Sequence, residues 1–395
     1  MTSKDVLPFF QFLVNEEALG DRNSDVRRGL LTAGTAVIDL YGKPCLADLI
    51  SLFEGRLAQN THTDAGDQVH EAVVVLLGRV ARHLDPSDSR IPQVVRRLMD
   101  TLSTPVEQVQ IAVADCMAPL MRFMKTTAGP LVEELLTQLF GAAKYAERRG
   151  AAYGLAGVVR GLGIASIPKY HILSRLQASL EDKKNGTARQ GAIFAYETLP
   201  ATLGRLFEPY IVGLVPNLLA SFGDAQADVR EATQESARII MSGLSAYGVK
   251  LILPSLLEAL DEKAWRTKKA AIELLGSMAY LAPSTLSVSL PTIIPRLTGV
   301  LTDSHAQVRT AANKSLKQFG EVISNPEIQR LVPVLLKAFV DPEKTPPALA
   351  ALLKTSFAHY IDSSSLALVC VLFLFFFPLL FDLSPFRSSP LSSVE

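Results

Sequence analysis

Cysteine is scarce. Three residues (Cys45, Cys116, Cys370), odd in number and with no close pair, exclude a disulfide framework and a Cys-x-x-Cys metal knuckle, and a reducing compartment is expected. Neither charge is in excess, with 39 basic residues against 39 acidic. That balance removes the long-range attraction for naked nucleic acid and leaves only local basic faces, so no direct DNA binding is expected. No Gly-x-x-x-x-Gly-Lys-Ser/Thr run exists, which excludes a Walker-type ATP site. Gly161-Leu162-Gly163 is half of a dinucleotide loop, but Ser166 stands where the third glycine belongs; the pattern reads as a helix stop with glycine in a left-handed conformation. The histidines (His62, His70, His83, His171, His305, His359) are scattered, without the i, i+4 pair or cysteine partner that zinc needs. No catalytic set remains, so the expectation is a binding protein, not an enzyme, with no cofactor and no metal. Asn185-Gly186-Thr187 and Asn313-Lys314-Ser315 match the glycosylation sequon, but no secretory signal accompanies them. The N-terminal apolar stretch is only about eight residues long and no cleavage site follows, so it reads as a first helix.

What is present is apolar side chain, 48% of the residues, enough for a large core. One segment recurs: an apolar helix carrying proline, a turn marked by aspartate, then a small-residue helix. LVPNLLASFGDAQADVREATQESARII and IIPRLTGVLTDSHAQVRTAANKSLKQFG are two copies. Prolines 216, 254, 295 and 333 are spaced by 38, 41 and 38 residues, and Asp224, Asp261, Asp303 and Asp341 by 37, 42 and 38. The second helices open at Val26-Arg27, Val69-His70, Val109-Gln110, Arg148-Arg149, Ala188-Arg189, Val229-Arg230, Thr267-Lys268, Val308-Arg309 and Pro346-Pro347. Nine copies at a period near 40 follow. Three residues on stand Gly29, Ala72, Ala112, Ala151, Gly191, Ala232, Ala270, Ala311 and Leu349, small at eight of nine places, as close helix approach requires.

Apolar spacing within a copy is helical, as at Ile252, Leu256 and Leu260, and no sustained period-two alternation appears. One helix pair cannot bury its apolar face alone, so the pairs must stack. The fold class expected is all-α, a superhelical solenoid of about nine helix pairs over residues 1–360, with residues 361–395 outside it.

These residues resemble the HEAT family, related to ARM repeats: a proline in the first helix, an inter-helix Asp, and Val-Arg five residues later, as in Asp224 with Val229-Arg230 and Asp303 with Val308-Arg309. The resemblance implies that Asp224, Arg230, Asp303 and Arg309 form a structural ladder joining successive repeats. His70 takes the ladder position of its repeat, and Arg148-Arg149 is read as mainly structural.

Basic residues gather in two turns. Lys183 and Lys184 lie in EDKKNG, and Lys263, Arg266, Lys268 and Lys269 lie in DEKAWRTKK around the only tryptophan, Trp265. Turns on one edge of a solenoid align, which makes these six residues candidates for a phosphate-facing stripe; the alternative is solvated charge offset by Glu181, Asp182, Asp261 and Glu262.

The run from Ala146 to Ile323, including AERRGAAYGLAGVVRGLGI and LEDKKNGTARQGAIFAYETL, is similar to the central, elongation-factor-three-like HEAT region of the Gcn-type activators of the amino-acid-starvation kinase. That resemblance implies a cytoplasmic scaffold that touches the ribosome, recruits an ABC-F ATPase partner and helps activate the kinase acting on translation initiation factor two alpha. The family's kinase-binding segment lies further C-terminal and is expected to be absent. Nuclear transport receptors and phosphatase scaffolds use the same repeats, and fold alone does not separate them; the neutral balance argues against a karyopherin, whose inner surface should be acidic. After Val369 the sequence departs from the family pattern. Leu366 to Phe381 is an apolar run of 16 residues interrupted by Pro378, close to the shortest membrane span. A truncated or mis-spliced gene is the favoured reading of this tail over a membrane anchor.

Overall fold

The computed structural model describes residues 3–59, 63–281, 289, 292–293, 295–297 and 299–322. Among them every regular element is helical. In chain order they are α1 (Ser3–Leu13), α2 (Ser24–Tyr41), α3 (Leu46–Leu57), α4 (Asp64–Ala81), α5 (Ile91–Thr101), α6 (Glu107–Met121), α7 (Ala128–Gly141), α8 (Tyr145–Leu162), the short α9 (Ser166–Lys169), α10 (Ile172–Glu181), α11 (Gly186–Leu203), α12 (Glu208–Ser221), α13 (Ala227–Gly243), α14 (Ala246–Glu258), α15 (Trp265–Leu281) and α16 (Ala306–Val322). The second helices of the repeats are α2, α4, α6, α8, α11, α13, α15 and α16. Each opening pair from Val26-Arg27 to Val308-Arg309 falls in the first two turns of one of them. The ninth pair, with Pro333, Asp341 and Leu349, lies outside the described residues, as do His62, His359, Cys370 and the 361–395 tail. Compactness divides the chain into two units, Met1–Tyr210 with Asp224–Gly243, and Ile211–Gly223 with Leu244–Glu395.

Short polar residues start several helices by accepting an otherwise orphaned backbone N–H. Asn23 accepts from Asp25, Thr63 from Gly66, Asn185 from Ala188 and Ser245 from Gly248. The first sequon is therefore a helix cap. Gly163, at φ +91°, ends α8 with its N–H donating to the Val159 carbonyl, a backbone conformation that disfavours a side chain.

In the first unit the core is continuous. Phe10 and Phe53 meet edge to face at 5.5 Å between ring centroids, and α11 is buried without interruption from Ala188 to Pro200. Neighbouring helices therefore cover it on every side, its charged Arg189 and Glu197 included. Glycine permits this at α8 and α11. A Cβ on Gly150 would stand 1.8 Å from the Leu102 carbonyl oxygen, one on Gly157 2.5 Å from that of Ala114, and one on Gly191 1.9 Å from that of Leu139. Gly29 breaks the expected pattern of close approach: nothing lies within 4 Å of where its Cβ would be.

The two aspartates expected in the ladder do join successive repeats, but Arg230 and Arg309 are not the partners of their carboxylates. Asp224 accepts the Gln226 N–H at 2.8 Å to fold its own turn, and its carboxylate meets Arg189 of the preceding repeat at 2.7 and 3.0 Å. Likewise Asp303 takes the His305 N–H at 2.8 Å and is bonded by Lys268 of the preceding repeat at 2.8 Å. Arg230 and Arg309 instead donate to carbonyls of their own turns, Asp224 and Ala225 for one, Asp303 and Ser304 for the other, at 2.7 to 2.9 Å. The reason is geometric: once one aspartate oxygen closes its turn, the carboxylate faces the previous second helix. Arg189 combines both roles, since it also clamps the Asp182 carbonyl at 2.7 Å.

Burial pushes the Asp224 carboxyl up, but the Arg189 bond and the Gln226 N–H outweigh it, and the acid is held below its usual range; Lys268 and the His305 N–H do the same for Asp303. Carboxylates with lowered folded-state values stabilise above the unfolded value of about 4 and lose that stabilisation as pH falls through the folded one. Through these two aspartates, urea midpoints should therefore fall below about pH 4. Asp224→Asn should flatten part of that fall; an unchanged acid limb would remove Asp224 from the ladder.

Candidate functional site

The candidate docking residues sit in turns that the ladder holds. In the first unit Lys183 and Lys184 are both exposed, between α10 and α11, in a turn closed by the Lys184 N–H donating to Asp182 at 2.9 Å. Neither lysine has an ion-pair partner among the described residues. Because Arg189 clamps the same turn through the Asp182 carbonyl, these lysines ride on a rigid base.

In the second unit the basic turn divides. Lys263 and Arg266 are exposed. Lys268 is not available for docking in the way the sequence implied: its ammonium is 2.8 Å from Asp303, and only 21% of its side chain is exposed. Lys269 is half-buried and pairs with Glu273 at 3.4 Å. Trp265 lies flat on His305, with centroids 3.9 Å apart and planes 8° from parallel, and the Arg266 guanidinium is 4.5 Å from the Trp265 ring centroid. The His305 Nδ1 accepts the Gln307 N–H at 3.3 Å, which fixes the imidazole under the indole. Cation, indole and imidazole thus tie the start of α15 to the turn before α16, and Arg266 is presented on a rigid aromatic platform.

A buried charge network, missed in the sequence, lies at the start of α8. Arg149 bonds Glu197 of α11 through both terminal nitrogens at 2.7 and 2.6 Å and Glu107 of α6 at 2.8 Å, while the Tyr153 hydroxyl donates to Glu107 at 2.6 Å. Burial opposes the guanidinium charge, but the Glu197 and Glu107 bonds more than compensate and raise its pKa. One residue thereby spans three successive second helices. A lone acid inside the apolar run GAIFAYETL was the available signal. Arg148 beside it clamps the Ala142 and Ala143 carbonyls at 2.8 Å each and reaches Gln190 at 2.5 Å.

Among the described residues no group of three or more His, Cys, Asp and Glu side chains could hold a metal ion, and no helix is long and apolar enough to cross a membrane. Burial pushes the Cys116 thiol up to about 12, so it should resist alkylation in the folded protein.

Two family descriptions match the chain: "Stalled ribosome sensor GCN1, HEAT repeats" over residues 1–82 and "EF3 N-terminal HEAT repeat" over residues 148–316. The human protein named "Stalled ribosome sensor GCN1" is 49% identical over 93% of this chain, and the Saccharomyces cerevisiae "eIF-2-alpha kinase activator GCN1" is 45% identical over 92%. The chain belongs to the GCN1 family of HEAT-repeat proteins. It spans 14% of the length of those GCN1 relatives. An "Elongation factor 3" from Gonapodya prolifera is 31% identical over 62% of the chain and 23% of its own length. Among solved structures, Kap121p bound to Nup53p is 13% identical, with a TM-score of 0.47 over 96% of this chain and 39% of that one. Arg149, Tyr153, Glu197 and the basic turns lie inside residues 148–316, the stretch matched to the elongation factor 3 repeats, whereas Glu107 lies before it.

Proposed function

We propose that this chain is a ribosome-docking segment of a cytoplasmic scaffold that helps activate the kinase phosphorylating initiation factor two alpha when ribosomes stall. The observation that carries the reading is the 45–50% identity, over nine-tenths of the chain, to proteins named as a stalled-ribosome sensor and as an eIF-2-alpha kinase activator. The geometry suits that role, because rigid turns carry exposed cations, Lys183 and Lys184 in one unit and Lys263 and Arg266 in the other, and phosphate contacts of this kind position a protein without reading sequence. The chain acts as a scaffold, and an ABC-F ATPase is proposed as a second partner on the resemblance alone. The names of these relatives support this function and lend nothing to the transport-receptor alternative.

Pelleting with purified ribosomes at graded salt tests the reading. Lys183→Glu with Lys184→Glu, and separately Lys263→Glu with Arg266→Glu, should each weaken binding and make it less salt-dependent, the log–log slope falling by about one for each phosphate no longer neutralised. Unchanged pelleting of both pairs would remove these turns from the interface, and a chain that stays in the supernatant even at low salt would refute ribosome docking by this segment.

A further inference from the structure

The first unit contains a second surface of opposite character. A groove of about 530 Å³ crosses α8, α11 and α13, immediately above the Arg149–Glu197 pair. Its lining holds two arginines against four carboxylates, Glu197, Asp228, Glu231 and Glu235, so it is net negative in a chain with no net charge. The positive side is already spent: Arg149 is bound by Glu197 and Glu107, and Arg148 by two carbonyls and Gln190. On α13, Asp228, Glu231 and Glu235 follow at i, i+3 and i+7, all exposed and on one face. Glu235 pairs with Arg238, but Asp228 and Glu231 have no ion-pair partner among the described residues.

Two features of the walls are not acidic. Tyr145 is 56% exposed and leans edge to face on Phe194, centroids 5.1 Å apart, which leaves an aromatic surface beside the carboxylates. Arg148 is only 6% exposed, and its Nε–H has no acceptor.

We propose that this groove is a docking site for a basic peptide segment of a partner protein. Lysine or arginine side chains of such a segment would meet Asp228 and Glu231 and lie against Tyr145. Nucleic acid is disfavoured by the same carboxylates. The site does not depend on ribosome docking, which rests on turns elsewhere, so either can fail alone.

Fluorescence anisotropy of the full chain with a labelled eight-residue peptide of alternating lysine and arginine tests this. An eight-residue glutamate peptide and a short single-stranded RNA serve as comparison probes. Asp228→Lys with Glu231→Lys should weaken the basic peptide at least tenfold, and Tyr145→Ala about two- to fivefold, the worth of an exposed cation–π contact. Glu258→Lys, the same kind of charge reversal at a single exposed site in the other unit, should have little effect. All these residues are exposed, and unchanged melting would show that each variant folds. The proposal is overturned if the double variant binds the basic peptide as well as the parent chain, if Glu258→Lys weakens it equally, or if the RNA probe alone binds the chain as tightly as the basic peptide and loses that binding in the double variant.

Discussion

Replacing Glu197 by alanine should destabilise the first unit by about 3 kcal/mol, the lower end of the cost of breaking a buried ion pair from one side. Glu197 is 3% exposed and Arg149 10%, so removing the acid leaves the guanidinium in a poorly solvated position with only Glu107, itself half exposed, to answer it. A loss of that size should lower the melting temperature by roughly 6–12 °C for a unit of this length. The partner change should show that the loss comes from the orphaned charge. Arg149→Met combined with Glu197→Leu removes both charges at similar volume, and well-packed apolar replacements of buried pairs are often neutral or stabilising. The double variant should therefore be more stable than Glu197→Ala alone. Urea unfolding monitored by circular dichroism reads both. If Glu197→Ala melts with the parent chain, the pair does not hold α8 against α11.

Gly191→Ala should cost about 1–3 kcal/mol through overpacking, although alanine is the better helix former. Its Cβ would stand 1.9 Å from the Leu139 carbonyl oxygen, a main-chain atom that cannot rotate aside, so α11 and α7 must separate. Gly29→Ala supplies the contrast. It too is in a helix, α2, but with nothing within 4 Å, and there the intrinsic preference should raise stability by up to about 1 kcal/mol. The two substitutions are chemically identical and should differ in sign. Equal effects would mean that the close approach at Gly191 is not real.

That contrast also shows what could be read from the sequence. The period near 40 located Gly29 and Gly191 as equivalent positions, because spacing along the chain reports which residues recur. It says nothing of how near the neighbouring helix comes, which depends on packing between repeats. The same holds for the ladder. Asp224 and Asp303 are visible as turn aspartates by their spacing, yet their partners, Arg189 and Lys268, lie one repeat back at a sequence distance of 35 residues, beyond any local pattern. Lys268 consequently reads as free charge in a basic cluster when it is a structural cation. The exposed cations of the two basic turns, Lys183 and Lys184 in one and Lys263 and Arg266 in the other, have no such partner and look the same in both views. Glu197 was hidden for a different reason: a single acid in an apolar helix has meaning only when the arginine it binds is known, and Arg149 stands 48 residues away.

Site-directed photo-crosslinking tests the docking account most directly. A photoreactive residue placed at position 183 or at position 263, mixed with purified ribosomes at low salt, should form adducts with ribosomal components that diminish as salt rises. The same residue at position 40, where Leu40 is 75% exposed but lies outside the basic turns, should form few. Adducts from position 40 as abundant as those from 183 and 263, or none from either turn, would contradict the assignment of these turns as the ribosome-facing surface.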